Sequence, residues 1–455
     1  METLSETAYN CIDTLATSNN YKAMIEEDRN KRSFLFDQAI LGPAMTMQLR
    51  GVRIDQAAVK LADEETKDAA NDLQKEFIAL ASKKIKWGKG MKVSPKQLGE
   101  LLYGEYKVRV RTSSTGAPTV NKEAIASILD DPKTPDEAFR LAEIAQELSV
   151  LEEDRKVLHK PLREDGRMHT TFVPAGTTSS RFSAKKDHFD FGCNLQALSH
   201  RLHKIFVPDD GYVFVNIDQK QAESKGVAYL SGCEKYKQIH KDSNTHIAVG
   251  KLLFPELNYD KKQANETKLP WDHNHSYYDL FKRIQHASNY AQTPRGLARQ
   301  IHSKINFAEE LQNKYFANFS EIRDWQLDIA QKLKIYHSLT TPLGRSRLFL
   351  GRTWNNSIVK EAIAYIPQSM ISQLNKIILW RIWNYFDPNR AQVLLEGHDS
   401  NLFQVKIGDT ETVEEILEKS KLEIMIRGDI MSVELEAQWG YSWDKKDLQD
   451  WTGRL

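Results

Sequence analysis

Apolar positions fall into two textures along this chain. Between residues 57 and 83, Ala57, Val59, Leu61 and Ala62, then Leu73, Phe77, Ile78 and Leu80, recur at mixed three- and four-residue spacing, which predicts one long helix. Ser94-Pro95 opens another, with serine as cap and proline at the first helical position. Residues 123–160 read as two helices parted near Pro132 and Pro135, and most of 222–340 reads as helical. Residues 1–30 read as a polar helix, 40–55 as an apolar segment with a Gly-Val-Arg-Ile-Asp turn, and 108–121 as a hairpin or loop. Short β-type runs occupy 168–173 and 212–217. Residues 391–407, AQVLLEGHDSNLFQVKI, form an apolar run, a polar turn and a second apolar run, the pattern of a strand–turn–strand. The order is helical, mixed, helical, mixed. The two β-rich parts flank 236–350, an order compatible with one sheet carrying a helical insertion.

With 455 residues the chain is long enough for two to four domains or subdomains and a large core. At 40% hydrophobic and 27% charged residues it is too apolar to be mainly disordered. No run approaches the ~18 apolar residues of a membrane span. The polar, acidic start lacks the basic and apolar regions of a secretory signal, so a cytoplasmic location (host cytoplasm for a viral chain) and no membrane partner are expected. Cys11, Cys193 and Cys233 are an odd, widely spaced set, which excludes a disulfide scaffold and a four-cysteine zinc site.

A formal net charge of +1 conceals clustering. Residues 83–96 hold Lys83, Lys84, Lys86, Lys89, Lys92 and Lys96 and no acid; residues 280–308 hold Lys282, Arg283, Arg295, Arg299 and Lys304, again with no acid. One such run is ordinarily a solvated face, but two suggest a long polyanion touched at several places.

Two constellations carry chemistry. The run 212–217 ends at Asp218, and a charge ending a core strand needs a partner or a metal. Asp399 lies in the turn of the second hairpin. Alone, each reads as a turn residue or helix cap; on neighbouring strands they would form a two-metal site for phosphoryl transfer. Spacing cannot show that pairing, since 180 residues separate them. Lys282, His286 and Tyr290 recur every four residues and share a helix face, a cation followed by two rings, suited to a triphosphate, base and sugar. The alternative is an ordinary mixed solvent-facing surface.

At this point the residues resemble a family. Gly176-Thr-Thr-Ser-Ser-Arg181-Phe-Ser183 with Asn194-Leu195-Gln196, then Asp218-Gln-Lys-Gln221-Ala-Glu223, then Lys282-xxx-His286-xxx-Tyr290-Ala291, then His398-Asp399-Ser400 are similar, in order, to the motifs of family A (DNA polymerase I-like) DNA polymerases. Ser94-Pro-Lys-Gln-Leu98, Asp165-Gly-Arg-Met-His169-Thr170, Pro367-Gln368 and Trp439-Gly-Tyr-Ser-Trp443 support them, and His286-Ala-Ser-Asn-Tyr290 looks most like a bacteriophage-type branch. The resemblance covers about residues 40–455.

It implies an α+β right-hand polymerase with an antiparallel palm sheet and helical fingers and thumb. The expected parts are 1–40, tail of a 3′–5′ exonuclease-like domain; 41–58, leading into the palm; 59–164, thumb; 165–222, palm; 223–353, fingers; 354–455, palm. Asp218, Asp399 and the backbone carbonyl of Gln219 would hold two Mg²⁺ ions, replaceable by Mn²⁺, beside a primer–template DNA and a dNTP. Lys282 would grip the triphosphate and serve catalysis. Gln221, Glu223, His246, His286 and Tyr290 would shape the nucleotide site, with Glu223 excluding a 2′-hydroxyl. Arg181, Gln196, Gln368 and His398 would line the primer end, and Lys83, Lys84, Lys86 and Lys89 would meet duplex phosphates.

There are departures from the family pattern. Tyr278 stands where a basic residue is expected, His286 replaces phenylalanine, Ala291 replaces glycine, Lys220 replaces a small polar residue, and Ser400 replaces an acid. They motivate a rival reading as a non-catalytic or degenerate DNA-binding replication subunit. A second rival, an RNA polymerase or reverse transcriptase, is opposed by Glu223 and the Asn-Leu-Gln segment. Tyr9-xxx-Asp13 with Thr17 resembles the last motif of the proofreading exonuclease. Its two earlier carboxylate motifs are not found, so no proofreading by this chain alone is expected, and a separate exonuclease polypeptide is an expected partner.

Overall fold

The structure, a computed structural model, describes residues 14, 15, 18, 31–81, 85, 87, 90–113, 115–129, 131, 133–187, 191–242, 244–351 and 355–454. Lys83, Lys84, Lys86 and Lys89, together with Tyr9, Asp13 and Thr17, lie outside the described residues.

Helix α1 (Lys31–Arg50) runs through Pro43 and stops where Gly51 takes a φ of 63°, the left-handed region that glycine enters at low cost. The boundary drawn between residues 40 and 41 therefore falls inside one helix; the apolar texture starts there, but the backbone does not change. A buried ion group ties α1 to distant chain: Arg345 donates to both Asp37 carboxylate oxygens at 2.7 Å, and the fully buried Lys376 ammonium lies 3.5 Å from Asp37.

Asp55 accepts from the Ala57 and Ala58 amides and starts α2 (Gln56–Ala81). Ser94 accepts from the Gln97 amide at 3.2 Å with Pro95 first in the following helix, the cap read from sequence. Helices Lys122–Leu129 and α3 (Asp136–Leu158) are separate, with Pro135 immediately before α3, while Pro132 lies outside the described residues. Arg155 meets Asp63 at 2.9 Å and Arg140 meets Glu76 at 2.6 Å, so α2 and α3 run antiparallel.

The runs 212–217 and 391–407 do form one sheet, whereas 168–173 does not join it: Arg167–Met168 pairs with Val52–Arg53 and Thr171–Val173 with Ser183–Lys185 in separate two-stranded ladders. Strand β1 (Tyr212–Gln219) is its centre, flanked by the hairpin β2 (Ala391–Glu396) and β3 (Ser400–Lys406) on one side, and by β4 (Leu435–Gly440) and the short β5 (Gln449–Asp450) on the other. The order is β2-β3-β1-β4-β5 and every pairing is antiparallel. Val213, Phe214 and Val215 are all buried, so both faces of β1 are covered there and the usual alternation is lost.

Between β1 and β2 lies the helical insertion. It includes α4 (Ala222–Ser231), α5 (Thr245–Leu253), α6 (Tyr277–Asn289) and the long, largely buried α7 (Asn356–Tyr385). Helix α5 packs on α6 through Gly250, where a Cβ would fall 2.4 Å from the Phe281 ring. The buried apolar residues form two clusters: one spans the sheet and the insertion, and the other is drawn from residues 70–151. Ala62 and Leu158, at the facing ends of α2 and α3, belong to the first cluster, while the distal parts of both helices belong to the second. Among the described residues no helix is long and apolar enough to cross a membrane.

Candidate active site

Strand register decides where the two aspartates meet. Asp218 pairs across the ladder with Ser400 of β3 on one side and Glu436 of β4 on the other. Asp399 immediately precedes β3, and its carbonyl accepts from the Gln219 amide at 3.0 Å. The end of β1 and the start of β3 are thus locked together, and residues 180 apart in sequence become neighbours. Burial, then the charges of Asp399 and Glu436, push the Asp218 carboxyl up to about 7. Asp399 reaches solvent in the cleft, yet crowding by protein atoms and the Glu223 charge raise its carboxyl as well.

The wall opposite is α6. Ser276 and Asp279 form a reciprocal capping box that fixes its start. Leu280, Phe281, Ile284 and Ala287 turn inward, and the stripe read from sequence turns outward: Lys282 and His286 are exposed, and the His286 and Tyr290 rings lie 4.7 Å apart. Lys282 acts electrostatically on Asp218, Asp399, His246 and His286, so it overlooks the aspartates.

Glu223 joins floor to wall. It accepts from the Tyr290 hydroxyl at 2.5 Å and pairs with Arg181. Arg181, expected at the primer end, is therefore held by Glu223. Gln196 donates to Glu396, at 2.7 Å from its carboxylate, and the Asn375 amide donates to Glu396 at 2.9 Å. Glu396 is fully buried and pushed up to about 7 by that burial. His398 Nδ1 stands 3.9 Å from it, buried and without a hydrogen-bond partner. Gln368 sits half-buried on α7, and the described hydrogen bonds do not join it to this group.

His246 abuts Gln285 and packs edge-on against Tyr278 at 5.5 Å. Burial pushes its imidazole down to about 4, so it is neutral near pH 7 and offers a hydrogen bond, not a charge. The residue in the family's basic position, Tyr278, therefore supports this ring. Gln221 caps α4 with a φ of 48°, and Ser180, Ala291 and His398 are also left-handed non-glycine residues at φ of 64°, 51° and 73°. Such strained backbone collects where side chains must be aimed.

The Asp399 and Glu436 charges that raise Asp218, the Glu223 charge that raises Asp399, and the hard oxygen donors at the strand ends suit Mg²⁺: a divalent cation would offset the repulsion. Sequence reading missed Glu396 and Glu436. Glu396 ends the run Val393-Leu394-Leu395, the same signal that marked Asp218; Glu436, on β4, carries no such mark. Lys92, counted as an unopposed cation, pairs with Glu153 at 3.0 Å, because a folded chain supplies acids that a linear window does not.

Residues 56–445 match the family model of DNA polymerase family A. This chain belongs to that family. Among relatives of the family A chain is the DNA polymerase I of Mycobacterium bovis, 24% identical over 408 residues, which span 88% of this chain and 43% of that protein. The Helicobacter pylori DNA polymerase I is 24% identical over 377 residues, 80% of this chain and 38% of its own, and the thermostable enzyme of Thermus filiformis 22% over 408, covering 88% and 46%. The family A chain thus spans under half the length of these relatives. Its fold is similar to the POL domain of Pol1 from M. smegmatis, solved in complex with DNA primer-template and dNTP, with a TM-score of 0.71 over 90% of this chain and 70% of that one at 20% identity.

Proposed function

We propose that this chain is a DNA-directed DNA polymerase that adds deoxynucleotides to a primer 3′-hydroxyl by phosphoryl transfer. The observation that carries the reading is the juxtaposition of Asp218 and Asp399 at adjoining strand ends beneath the Lys282–His286–Tyr290 face. Two Mg²⁺ ions held by Asp218, Asp399 and the Gln219 carbonyl, with Mn²⁺ as a substitute, would supply activation of the 3′-oxygen and neutralisation of phosphate charge.

The protein's own groups do the rest. Lys282 Nζ holds the triphosphate and gives a proton to the leaving pyrophosphate. His246, neutral, donates one hydrogen bond to a phosphate. His286 and Tyr290 make the wall for base and sugar. Glu223, held between Arg181 and the Tyr290 hydroxyl, closes the pocket below the sugar, so a 2′-hydroxyl would meet a carboxylate already engaged. Gln221 positions the start of α4. Gln196, Gln368 and His398 face the primer end. We assign 59–164 to the thumb, 223–353 to the fingers and the sheet-bearing segments to the palm. Lys83, Lys84, Lys86 and Lys89 would meet duplex phosphate. A solved complex of a similarly folded domain with primer-template and dNTP supports these partners.

Single-nucleotide extension of a labelled primer tests the reading. Incorporation of the templated dNTP, lost in Asp218→Asn and Asp399→Asn, is the expected result. Failure to extend with Mg²⁺ or Mn²⁺ while duplex is bound would overturn it in favour of the non-catalytic DNA-binding subunit. The finer assignments are a bacteriophage-type branch, from His286-Ala-Ser-Asn-Tyr290, and a separate exonuclease-like polypeptide that packs on residues 1–40. Co-purification of an exonuclease-like polypeptide from the native lysate tests the second; recovery of the chain alone counts against it.

A further inference from the structure

Beside the entry to α6 lies a group that polymerase chemistry does not use. Asp272 and His275 sit on the strand Asp272–Ser276 that leads into α6, and His302 follows the helix Pro294–Gln300 that comes after it. Both imidazoles direct Nδ1 to the same oxygen of Asp272, at 2.5 Å from His275 and 2.9 Å from His302. Their rings are nearly perpendicular, at 78°, with centroids 5.3 Å apart, so they converge without stacking. The three ligand atoms lie within 4.8 Å of one another.

We propose that Asp272, His275 and His302 form a zinc site that bolts the strand entering α6 to the end of the helix Pro294–Gln300. Two imidazole nitrogens and a carboxylate oxygen are a borderline-soft donor set of the kind Zn²⁺ takes, and unlike the all-oxygen set at Asp218 and Asp399. Bonds of ~2.0–2.1 Å place tetrahedral ligands ~3.3 Å apart, so loading requires the two short edges to open by under ~1 Å. Asp272 is withdrawn from water, while about half of the His302 side chain is exposed, which gives the ion a route in. Water takes the fourth position.

The surroundings support a fastener. Trp271 Nε1 donates to the Ile301 carbonyl at 2.9 Å, and Arg283 on α6 donates to the Gln300 carbonyl, so the same two segments are already stitched beside the site. His302 is left-handed at φ 49°, a conformation that surrounding contacts must hold. His275 directly precedes Ser276, the residue that caps α6. An ion here would fix the entry of the helix carrying Lys282 against the end of the helix that follows it, as a structural element and not as a participant in phosphoryl transfer.

Cobalt is the probe. The full chain, stripped with chelator and titrated with Co²⁺, is expected to develop the visible bands of a four-coordinate site at one equivalent, and Zn²⁺ should displace them. The bands should persist in the Asp218→Asn/Asp399→Asn double variant and vanish in His302→Ala. His302→Cys should keep the ion and add a thiolate-to-cobalt charge-transfer band in the near ultraviolet, a readout that a misfolded variant would not produce. Zn²⁺ should raise the melting temperature of the native chain and leave that of His302→Ala unchanged. Absence of the bands, with no zinc retained through gel filtration, would reduce the group to a hydrogen-bonded cluster. Bands that survive His302→Ala but disappear with the two aspartates would place the ion at the strand ends and overturn the proposal.

Discussion

The strand ends and the helix face that overlooks them hold their functional groups by different means. Asp218 and Asp399 are fixed by a β-ladder, with the Gln219 amide bonded to the Asp399 carbonyl, and their surroundings resist ionisation. Lys282 and His286 project from α6 into solvent, aimed only by the packing of Leu280, Phe281 and Ile284 behind them. One region stores electrostatic cost in a rigid frame; the other displays charge on a helix whose position depends on its ends. Glu223 bridges the two through Tyr290 and Arg181. Repulsion among acids is tolerable where a cation would relieve it, whereas a lysine proposed to grip phosphate would stay solvated until its ligand arrives.

The sharpest break in this contrast removes a strand-end acid. Asp218→Ala or Asp399→Ala is expected to lower primer extension by about 10³-fold or more while leaving duplex affinity, read by gel shift, within a few-fold. Lys282→Ala acts on the helix side and should cost about 10²–10³-fold in kcat without a loss of melting temperature, since the side chain is exposed. Tyr290→Phe cuts only the hydroxyl link to Glu223. A loss of about ten-fold in discrimination against ribonucleotides, measured as a ratio of kcat/KM values, is the expected effect.

The sequence disclosed these two regions unequally. Asp218 was visible because an apolar run ended in a charge, and the Lys282–Tyr290 stripe because helical periodicity survives in one dimension. The 391–407 hairpin and the Ser94 cap were equally plain, since both are set by residues within a few positions. The link from Glu223 to Tyr290, 67 residues apart, and the Asp37–Arg345–Lys376 group come from tertiary packing that no local window contains. Glu396 ends an apolar run just as Asp218 does, so its signal is local. Ser400 stands opposite Asp218 in the ladder, and Glu436 faces Asp218 from the other strand, a placement that only register reveals.

Two smaller tests refine the comparison. Asp218 keeps its proton to about pH 7 in the folded chain, against 3.8 ordinarily. Between these values the folded state binds more protons than the unfolded one, so metal-free stability should fall as pH rises through that window. Asp218→Asn should flatten part of that slope in melting curves from pH 4 to 8. Glu396, also held near 7, leaves a remainder of the same sign. Smallest of all, Ala291→Gly should stabilise the chain by about 1 kcal/mol in urea unfolding, because Ala291 occupies a φ of 51° that glycine adopts freely.

The paired helices α2 and α3 root their near ends in the main apolar cluster and carry a separate one at their far ends. Cooperative melting follows shared buried contacts, so the outer portion has the makings of its own melting unit. A calorimetric trace should then resolve two heat-absorption events. Bound duplex that spans both portions would draw them toward a single peak, making the shape of an endotherm a gauge of whether the hand is holding anything.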